Sequence, residues 1–177
     1  VKPEDYQQLA GPGPAATTTQ KLYASYQDQL QINQAVDFDD LIFKAYYMLR
    51  DNPDLLARLQ SQYKYFLVDE YQDTNHAQYR LISLISSASR NLCVVGDEDQ
   101  SIYSWRGATI RNIQDFAKDF AGARIVKLEQ NYRSTQVILD AAGAVIARNK
   151  SAHPKKLWTD QSGGELISFF RTSDDRE

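Results

Sequence analysis

Short apolar runs alternate with amphipathic stretches from residue 65 onward. Four runs have the length and continuity of strands: Tyr65–Val68, Asn91–Gly96, Arg124–Leu128 and Leu166–Phe170. Three stretches with apolar residues at helical intervals follow the first three runs: His76–Ser89, Ala108–Phe120 and Ser134–Arg148. A run such as Tyr65–Val68 before a helical stretch is typical of a strand buried on both faces of a sheet. The alternation predicts an α/β fold with a parallel sheet and flanking helices.

The N-terminal part of the chain is predicted to contain a loop followed by helices. Gly11-Pro12-Gly13-Pro14 and the Ala and Thr residues after it indicate a loop or linker. Gln20–Ile32 is predicted to be a helix whose Leu22 and Tyr26 pack in a core. Asp37 is a candidate N-cap for a helix ending near Arg50. Asn52-Pro53 interrupts the helical pattern, and three leucines after it predict a second short helix.

The composition limits the classes of function. The chain has 177 residues and 42% hydrophobic residues, enough for one domain or two small or partial ones. No segment is apolar enough to span a membrane, and the single cysteine, Cys93, indicates a reducing, cytoplasmic setting. The net charge of −3 gives no support for nucleic-acid binding through bulk charge. Binding to DNA would require a local basic patch or aromatic stacking.

Two adjacent carboxylates, Asp69 and Glu70, follow the first predicted strand. In open α/β sheets, ligands bind beyond the carboxyl ends of the strands, where these two residues are expected to lie. Asp69 is a candidate Mg²⁺ ligand, directly or through water, and Glu70 is a candidate for polarising the water that attacks a γ-phosphate. The alternative is that the pair opens a solvated turn.

The second predicted strand leads into a polar loop that contains Gln100, Tyr103, Trp105 and Arg106. Gln100 is uncharged and suited to bonding a γ-phosphate oxygen or the attacking water. Because that contact would vanish after hydrolysis, Gln100 is a candidate switch. An aromatic–arginine pair such as Trp105-Arg106 suits stacking on exposed bases. The alternative is that Tyr103 and Trp105 anchor the loop to the core.

The third predicted strand leads into Gln130-Asn131-Tyr132-Arg133. Arg133 is a candidate for stabilising charge on a transferred phosphoryl group, and Tyr132 for stacking on an adenine ring. A surface ion pair for Arg133 and core packing for Tyr132 are the alternatives.

Several of these stretches resemble motifs of the UvrD/PcrA/Rep-type superfamily 1 DNA helicases, most closely those of bacterial UvrD and PcrA. The stretches are similar, in order, to a short DNA-contacting motif, motifs II, III and IV, and a segment after motif IV: Asp37–Leu41, Phe66–Asn75, Val95–Ala108, Leu128–Thr135 and Lys156–Thr159. Their order and spacing also agree, and the resemblance covers nearly all of the chain from about Thr19.

The resemblance implies a role for each candidate residue. For ATP, it implies Asp69 as the Mg²⁺-associated acid, Glu70 as the general base, Gln100 as the γ-phosphate sensor, Tyr132 under the adenine and Arg133 on the γ-phosphate. For single-stranded DNA, it implies contacts by Tyr103, Trp105, Arg106, Phe38 and Asp39. The implied activity is 3′–5′ translocation and unwinding at duplex junctions in repair or replication. Repair-protein partners are possible but unidentified.

The resemblance also implies two partial RecA-like domains. Residues 1–19 are expected to form a linker or the end of an inserted helical subdomain. Residues 20–122 are expected to be the C-terminal part of the first RecA-like domain, and residues 123–177 the start of the second. The 177 residues contain no Gly-x-x-x-x-Gly-Lys-[Ser/Thr] loop, which we expect upstream of Val1 in a larger protein.

Three functions remain open from the sequence. The first is an ATP-dependent helicase of which this chain is a portion that is inactive by itself. The second is a superfamily 1 ATPase subunit of a nuclease or repair complex. The third is a non-catalytic module that binds single-stranded DNA or a protein.

Overall fold

A computed structural model describes residues 2–149 and 154–171 of the chain. These residues contain helices and one small parallel sheet, joined by loops. The helices are α1 Tyr6–Ala10, α2 Pro14–Ile32, α3 Phe38–Asp51, α4 Pro53–Gln62, α5 His76–Ser86, α6 Arg111–Gln114, α7 Phe116–Asp119 and α8 Gln136–Ile146. The strands are β1 Phe66–Val68 and β2 Leu92–Val94. No helix within the described ranges is both long and apolar enough to cross a membrane.

The described residues divide into two compact units. The first comprises the residues up to Tyr65 together with Ala77–Asn91, and the second comprises Phe66–His76 and the residues from Leu92 onward. The first unit is helical, and the second contains the sheet.

In the first unit, the local signals for helix ends are confirmed at α3 and α4. Asp37 has an extended backbone, and its Oδ1 accepts a hydrogen bond from the Asp40 N–H at 2.8 Å, as an N-cap does. Its Oδ2 accepts a second bond from the Tyr26 hydroxyl at 2.9 Å. Pro53 occupies the first turn of α4, where its missing N–H costs no helical bond.

The loop predicted for Gly11-Pro12-Gly13-Pro14 and the Ala and Thr residues after it is wrong from Pro14 onward. Pro14 begins α2, because proline has the backbone angle of a first helical residue and the absent N–H has no partner there anyway. The helix over Gln20–Ile32 is confirmed, but the predicted core packing of its stripe is not. Leu22 and Tyr26 are exposed.

In the second unit, β1 and β2 form the predicted parallel pair, with Leu67 opposite Cys93 and Val68 opposite Val94. The prediction that β1 is buried on both faces is wrong for the described chain. Leu67 is 73% exposed and Cys93 is also exposed, so one face of the pair lies open. Phe66 and Val68 point the other way and are half-buried, as expected from the alternation of side chains along a strand.

The predicted strands Arg124–Leu128 and Leu166–Phe170 are absent from the described chain, although both runs lie within it. A strand needs a neighbour that satisfies its N–H and C=O groups. Beside the third run the described residues supply one parallel bridge, between Gln130 and Trp158, just after the run ends. Apolar composition alone therefore overpredicted these strands.

The predicted helix Ala108–Phe120 is broken into α6 and α7 at Asp115. Its first turn is held from outside, because the Asn112 side-chain amide donates to the Thr74 carbonyl at 3.0 Å. The helix predicted from Ser134 begins at Gln136, with Thr135 in the N-cap position and no side-chain bond from it. Just before the helix, the Asn131 carboxamide oxygen accepts the N–H groups of Arg133 and Ser134, at 2.9 and 2.8 Å.

The Asp37 cap should contribute measurably to the stability of the first unit. We expect Asp37→Ala to lower the free energy of unfolding by about 1 kcal/mol in urea melts followed by circular dichroism. The backbone hydrogen bond from Asp40 and the side-chain bond from Tyr26 lower the pKa of Asp37. The stabilisation is therefore complete above the usual aspartate pKa and is lost as the pH falls through the lowered value.

Asp37→Asn is the control, because asparagine caps a helix equally well and carries no charge. It should keep most of the stability without that pH dependence. An Asp37→Ala protein as stable as the Asp37→Asn protein at neutral pH would contradict the capping role.

Candidate functional site

The two predicted carboxylates lie at the carboxyl end of β1, as expected. The Asp69 Oδ1 accepts a hydrogen bond from the Glu70 N–H at 2.9 Å, and both side chains are exposed. Glu70 itself has a left-handed backbone, with φ 49° and ψ 41°. A glutamate rarely adopts this conformation, and such residues cluster at functional sites. The bend directs the chain into the tight turn Tyr71–Asp73.

The side-chain amide of Gln72 connects Glu70 to the loop after β2. Gln72 Nε2 donates to Glu70 Oε2 at 2.7 Å, and Gln72 Oε1 accepts the Asp97 N–H at 3.0 Å. The Gln72 residue is 1% exposed, so these bonds are shielded from water. Because a buried amide must satisfy both its ends, this bridge fixes the distance between Glu70 and the loop.

Asp97 gathers the next group of side chains. Its Oδ2 accepts the Gln100 side-chain amide at 2.8 Å, and its Oδ1 pairs with the Lys155 ammonium. Burial opposes ionisation of the carboxyl, but the bonds from Lys155 and Gln100 outweigh burial and lower the pKa of Asp97. Asp69, Glu70 and Gln100 are therefore brought into one polar network, through Gln72 and Asp97.

The loop from Asp97 to Thr109 is attached at both ends to the turn that follows Glu70. Gln72 binds its start, as described, and the Thr74 carbonyl accepts the Thr109 N–H at 3.1 Å near its end. Thr74 is buried, and its hydroxyl donates to the Tyr71 carbonyl at 2.7 Å. The stretches Phe66–Asn75 and Val95–Ala108, predicted as separate motifs, are thus joined by hydrogen bonds.

Tyr103, Trp105 and Arg106 form an exposed cluster in the middle of this loop. The Arg106 guanidinium lies 4.5 Å from the centroid of a Trp105 ring and 5.4 Å from that of Tyr103, distances typical of cation–π contacts. Trp105 is 73% exposed, so it does not anchor the loop to the core. The cluster offers an aromatic face and a positive charge to solvent.

Tyr132 and Arg133 lie together in the loop before α8, and no hydrogen bond among the described residues joins them to Glu70 or Gln100. The Tyr132 hydroxyl donates to Gln130 Oε1 at 2.8 Å, and its carbonyl accepts the Gln161 amide at 2.7 Å. Both side chains are exposed, so core packing does not explain Tyr132. The surface ion pair considered for Arg133 is not found with any described residue.

Phe38 and Asp39 belong to the first unit, in the first turn of α3. Phe38 is 89% exposed, and Asp39 is also exposed. An aromatic ring so placed is free to stack on a ligand, while the cap at Asp37 holds the backbone beneath it.

Sequence reasoning missed Gln72, Asp97, Gly96 and Lys155. The glycine that ends the second apolar run was a usable signal, because glycine at a strand end often permits a close approach of backbone and side chain. A Cβ atom at Gly96 would lie 2.5 Å from Gln72 Oε1 and 3.2 Å from the Tyr71 nitrogen. Nothing in the sequence pairs Lys155 with Asp97, which lies in a distant segment.

No three His, Cys, Asp or Glu side chains gather into a cation site within the described ranges. Two exposed carboxylates nevertheless suit Mg²⁺, which commonly takes one or two carboxylates and completes its shell with phosphate oxygens and water. The donor set fits Mg²⁺ that arrives with a nucleotide.

The chain is similar to known helicases. Residues 1–121 match the family described as the UvrD/REP helicase N-terminal domain. The chain is 49% identical over 177 residues to the ATP-dependent DNA helicase PcrA of Leuconostoc citreum, covering 100% of this chain and 24% of that protein. It is 49% identical over 164 residues to DNA helicase II of Rickettsia typhi, covering 93% of this chain and 25% of the relative. It is 50% identical over 156 residues to the ATP-dependent DNA helicase PcrA of Staphylococcus aureus strain Mu50, covering 88% of this chain and 21% of that protein. The chain therefore spans about a quarter of the length of these curated relatives.

The close approach at Gly96 gives a direct test of the Gln72 bridge. We expect Gly96→Ala to lower the free energy of unfolding by roughly 1–3 kcal/mol in urea melts, because the added methyl group must displace a buried amide or backbone. Gly143→Ala is the matched control. Gly143 lies inside α8 with nothing within 4 Å of an added Cβ, so alanine should stabilise that helix by up to about 1 kcal/mol. Equal urea midpoints for Gly96→Ala and the unmodified chain would contradict the bridge.

Proposed function

The chain belongs to the UvrD/REP helicase family, and from that premise we propose that it is the portion of an ATP-dependent DNA helicase that links ATP hydrolysis to single-stranded DNA. The observation that carries this proposal is the Gln72 bridge. It joins the acid at the end of β1 to the loop that holds both Gln100 and the exposed aromatic cluster. Coupling between the two ligands requires a physical connection between their sites, and this bridge provides one.

On the ATP side, each candidate residue has a role that suits its position. Asp69 would hold Mg²⁺, which when bound supplies charge neutralisation at the β- and γ-phosphates. Glu70 would accept the proton of the attacking water through an oxygen that the Gln72 amide leaves free. Gln100, held by Asp97, has a second N–H and a carbonyl oxygen to offer to a γ-phosphate oxygen or to that water.

Tyr132 and Arg133 are proposed to complete the nucleotide site from the second RecA-like domain. Tyr132 would stack on the adenine ring, and Arg133 would stabilise the charge that develops on the γ-phosphoryl group. Among the described residues no hydrogen bond links them to the Gln72 network, as suits residues that would reach the nucleotide only when the two domains close around it. In this proposal residues 20–122 belong to the first RecA-like domain and residues 123–177 to the second, with residues 1–19 ending a helical subdomain.

On the DNA side, Trp105 is proposed to stack on an unpaired base, with Tyr103 and Arg106 beside it. Stacking needs no excess positive charge, so a chain with a net charge of −3 can still bind single-stranded DNA. The exposed Phe38 and Asp39 are proposed as a second contact with DNA. Movement of the strand past these residues in the 3′–5′ direction would unwind duplex at a junction.

Glu70→Gln tests the hydrolytic role in the full-length protein that carries this chain. The change keeps the size of the side chain and removes its basicity. We expect kcat for DNA-stimulated phosphate release to fall by about 10²- to 10⁴-fold while ATP binding persists. Glu165→Gln, at an exposed carboxylate outside the network, is the matched control and should retain activity. Equal rates for the two variants would refute the role of Glu70. The 177-residue chain tested alone should release phosphate only at background, since it contains no phosphate-binding loop.

The contact with DNA can be tested through the two tryptophans, Trp105 and Trp158. Oligo-dT should quench the fluorescence of a Trp158→Phe protein, which keeps Trp105, and should leave that of a Trp105→Phe protein unchanged. Trp105→Ala should weaken binding of labelled oligo-dT by roughly 5- to 150-fold in an anisotropy titration, the loss of one stacked base. Quenching that follows Trp158 instead, or unchanged affinity in Trp105→Ala, would exclude Trp105 from the DNA contact.

A further inference from the structure

Lys155 and Asp97 form an ion pair between two segments that are distant in the sequence. The lysine side chain is 25% exposed and the aspartate 23%, so the pair is mostly shielded from solvent. Water and salt screen such a pair much less than they screen ions on the open surface. The contact therefore holds the Lys155 side chain against the Asp97 carboxylate more firmly than an ion pair on the open surface would.

Asp97 is held from several directions besides Lys155. Its N–H donates to buried Gln72, its Oδ1 also accepts the Asp99 N–H at 3.1 Å, and its Oδ2 accepts the Gln100 amide at 2.8 Å. The bonds from Lys155 and Gln100 keep the carboxylate ionised, as its lowered pKa indicates. Among the described residues that bond to this carboxylate, Gln100 is the only one that is exposed.

We propose that Lys155 is a positioning residue for Gln100 and acts through the Asp97 carboxylate. The inference rests on the proposed function, in which Gln100 meets the γ-phosphate or the attacking water. It gives Lys155, a residue outside the predicted ATP-contacting motifs, an indirect part in ATP hydrolysis.

Two physical effects support this role. A free glutamine side chain samples many rotamers, and ordering it at the moment of reaction costs free energy that prior anchoring removes. The loop also carries three consecutive acids, Asp97, Glu98 and Asp99, next to the place proposed for a triphosphate. The Lys155 ammonium offsets the charge of Asp97, so that this carboxylate can hold Gln100 without strongly repelling the nucleotide.

The test is steady-state ATP hydrolysis by the full-length protein with saturating single-stranded DNA. Lys155→Met should lower kcat by on the order of tenfold or more, because Asp97, which holds Gln100, loses its ion-pair partner. Lys155→Arg keeps the cation and should restore most of the loss. Lys156→Met is the matched control, since Lys156 is the exposed neighbour and forms no ion pair with any described residue.

A double-mutant cycle separates positioning from a general structural effect. If Lys155 acts through Gln100, Lys155→Met should change kcat by less than about twofold in a Gln100→Ala protein, because the group it positions is already gone. Asp97→Asn, which keeps the volume of the side chain, should reproduce the loss in kcat. It also keeps the question answerable if Lys155→Met fails to fold in a thermal melt.

The outcomes distinguish the inference from the function on which it rests. Equal kcat for Lys155→Met and Lys156→Met, or additive losses in the cycle, would overturn the role of Lys155 alone. Full activity in Gln100→Ala would overturn the proposed role of Gln100 and the inference with it.

Discussion

The side-chain amide of Gln72 is the contact on which the candidate site depends. It is buried, and both its ends are used: one orients Glu70, and the other holds the first N–H of the loop after β2. Such an amide tolerates little displacement, because any movement leaves a polar group unsatisfied in a place that water does not reach. Gly96 is the consequence in the sequence, since no side chain fits between this amide and the backbone.

Features that depend on neighbouring residues could be predicted from the sequence. The parallel strands β1 and β2, the cap at Asp37 and the carboxylates after β1 follow from local patterns of apolar and polar residues. The strands predicted at Arg124–Leu128 and Leu166–Phe170 are not found in the described chain. The prediction failed because an apolar run does not reveal whether another strand lies beside it. The same limit applies to the break at Asp115, since the turn before it is held by Thr74 from another segment.

The site divides in the same way. Asp69, Glu70 and Gln100 could be predicted to lie near one another, because each follows a strand of one parallel sheet and such strands end at the same edge. The residues that connect them could not be predicted. Gln72 resembles any polar residue in a turn until its burial is known, and Lys155 resembles any lysine on the surface until Asp97 is seen beside it. Reactive residues that follow a strand can be identified from the local sequence, whereas the residues that position them cannot.

The loop from Asp97 to Thr109 contains residues proposed to contact both ATP and single-stranded DNA. Its ends are bound by Gln72 and Thr74, two residues of the turn that begins at Glu70. Between those ends lie Gln100, whose amide donates to Asp97, and Trp105, which is exposed and has Arg106 against it. Because both ends of this segment are attached to one turn, we expect a displacement at Gln100 to be passed on within the loop toward Trp105. Coupling of ATP and DNA would then require no long pathway, because the two contacts share one loop and one pair of anchors.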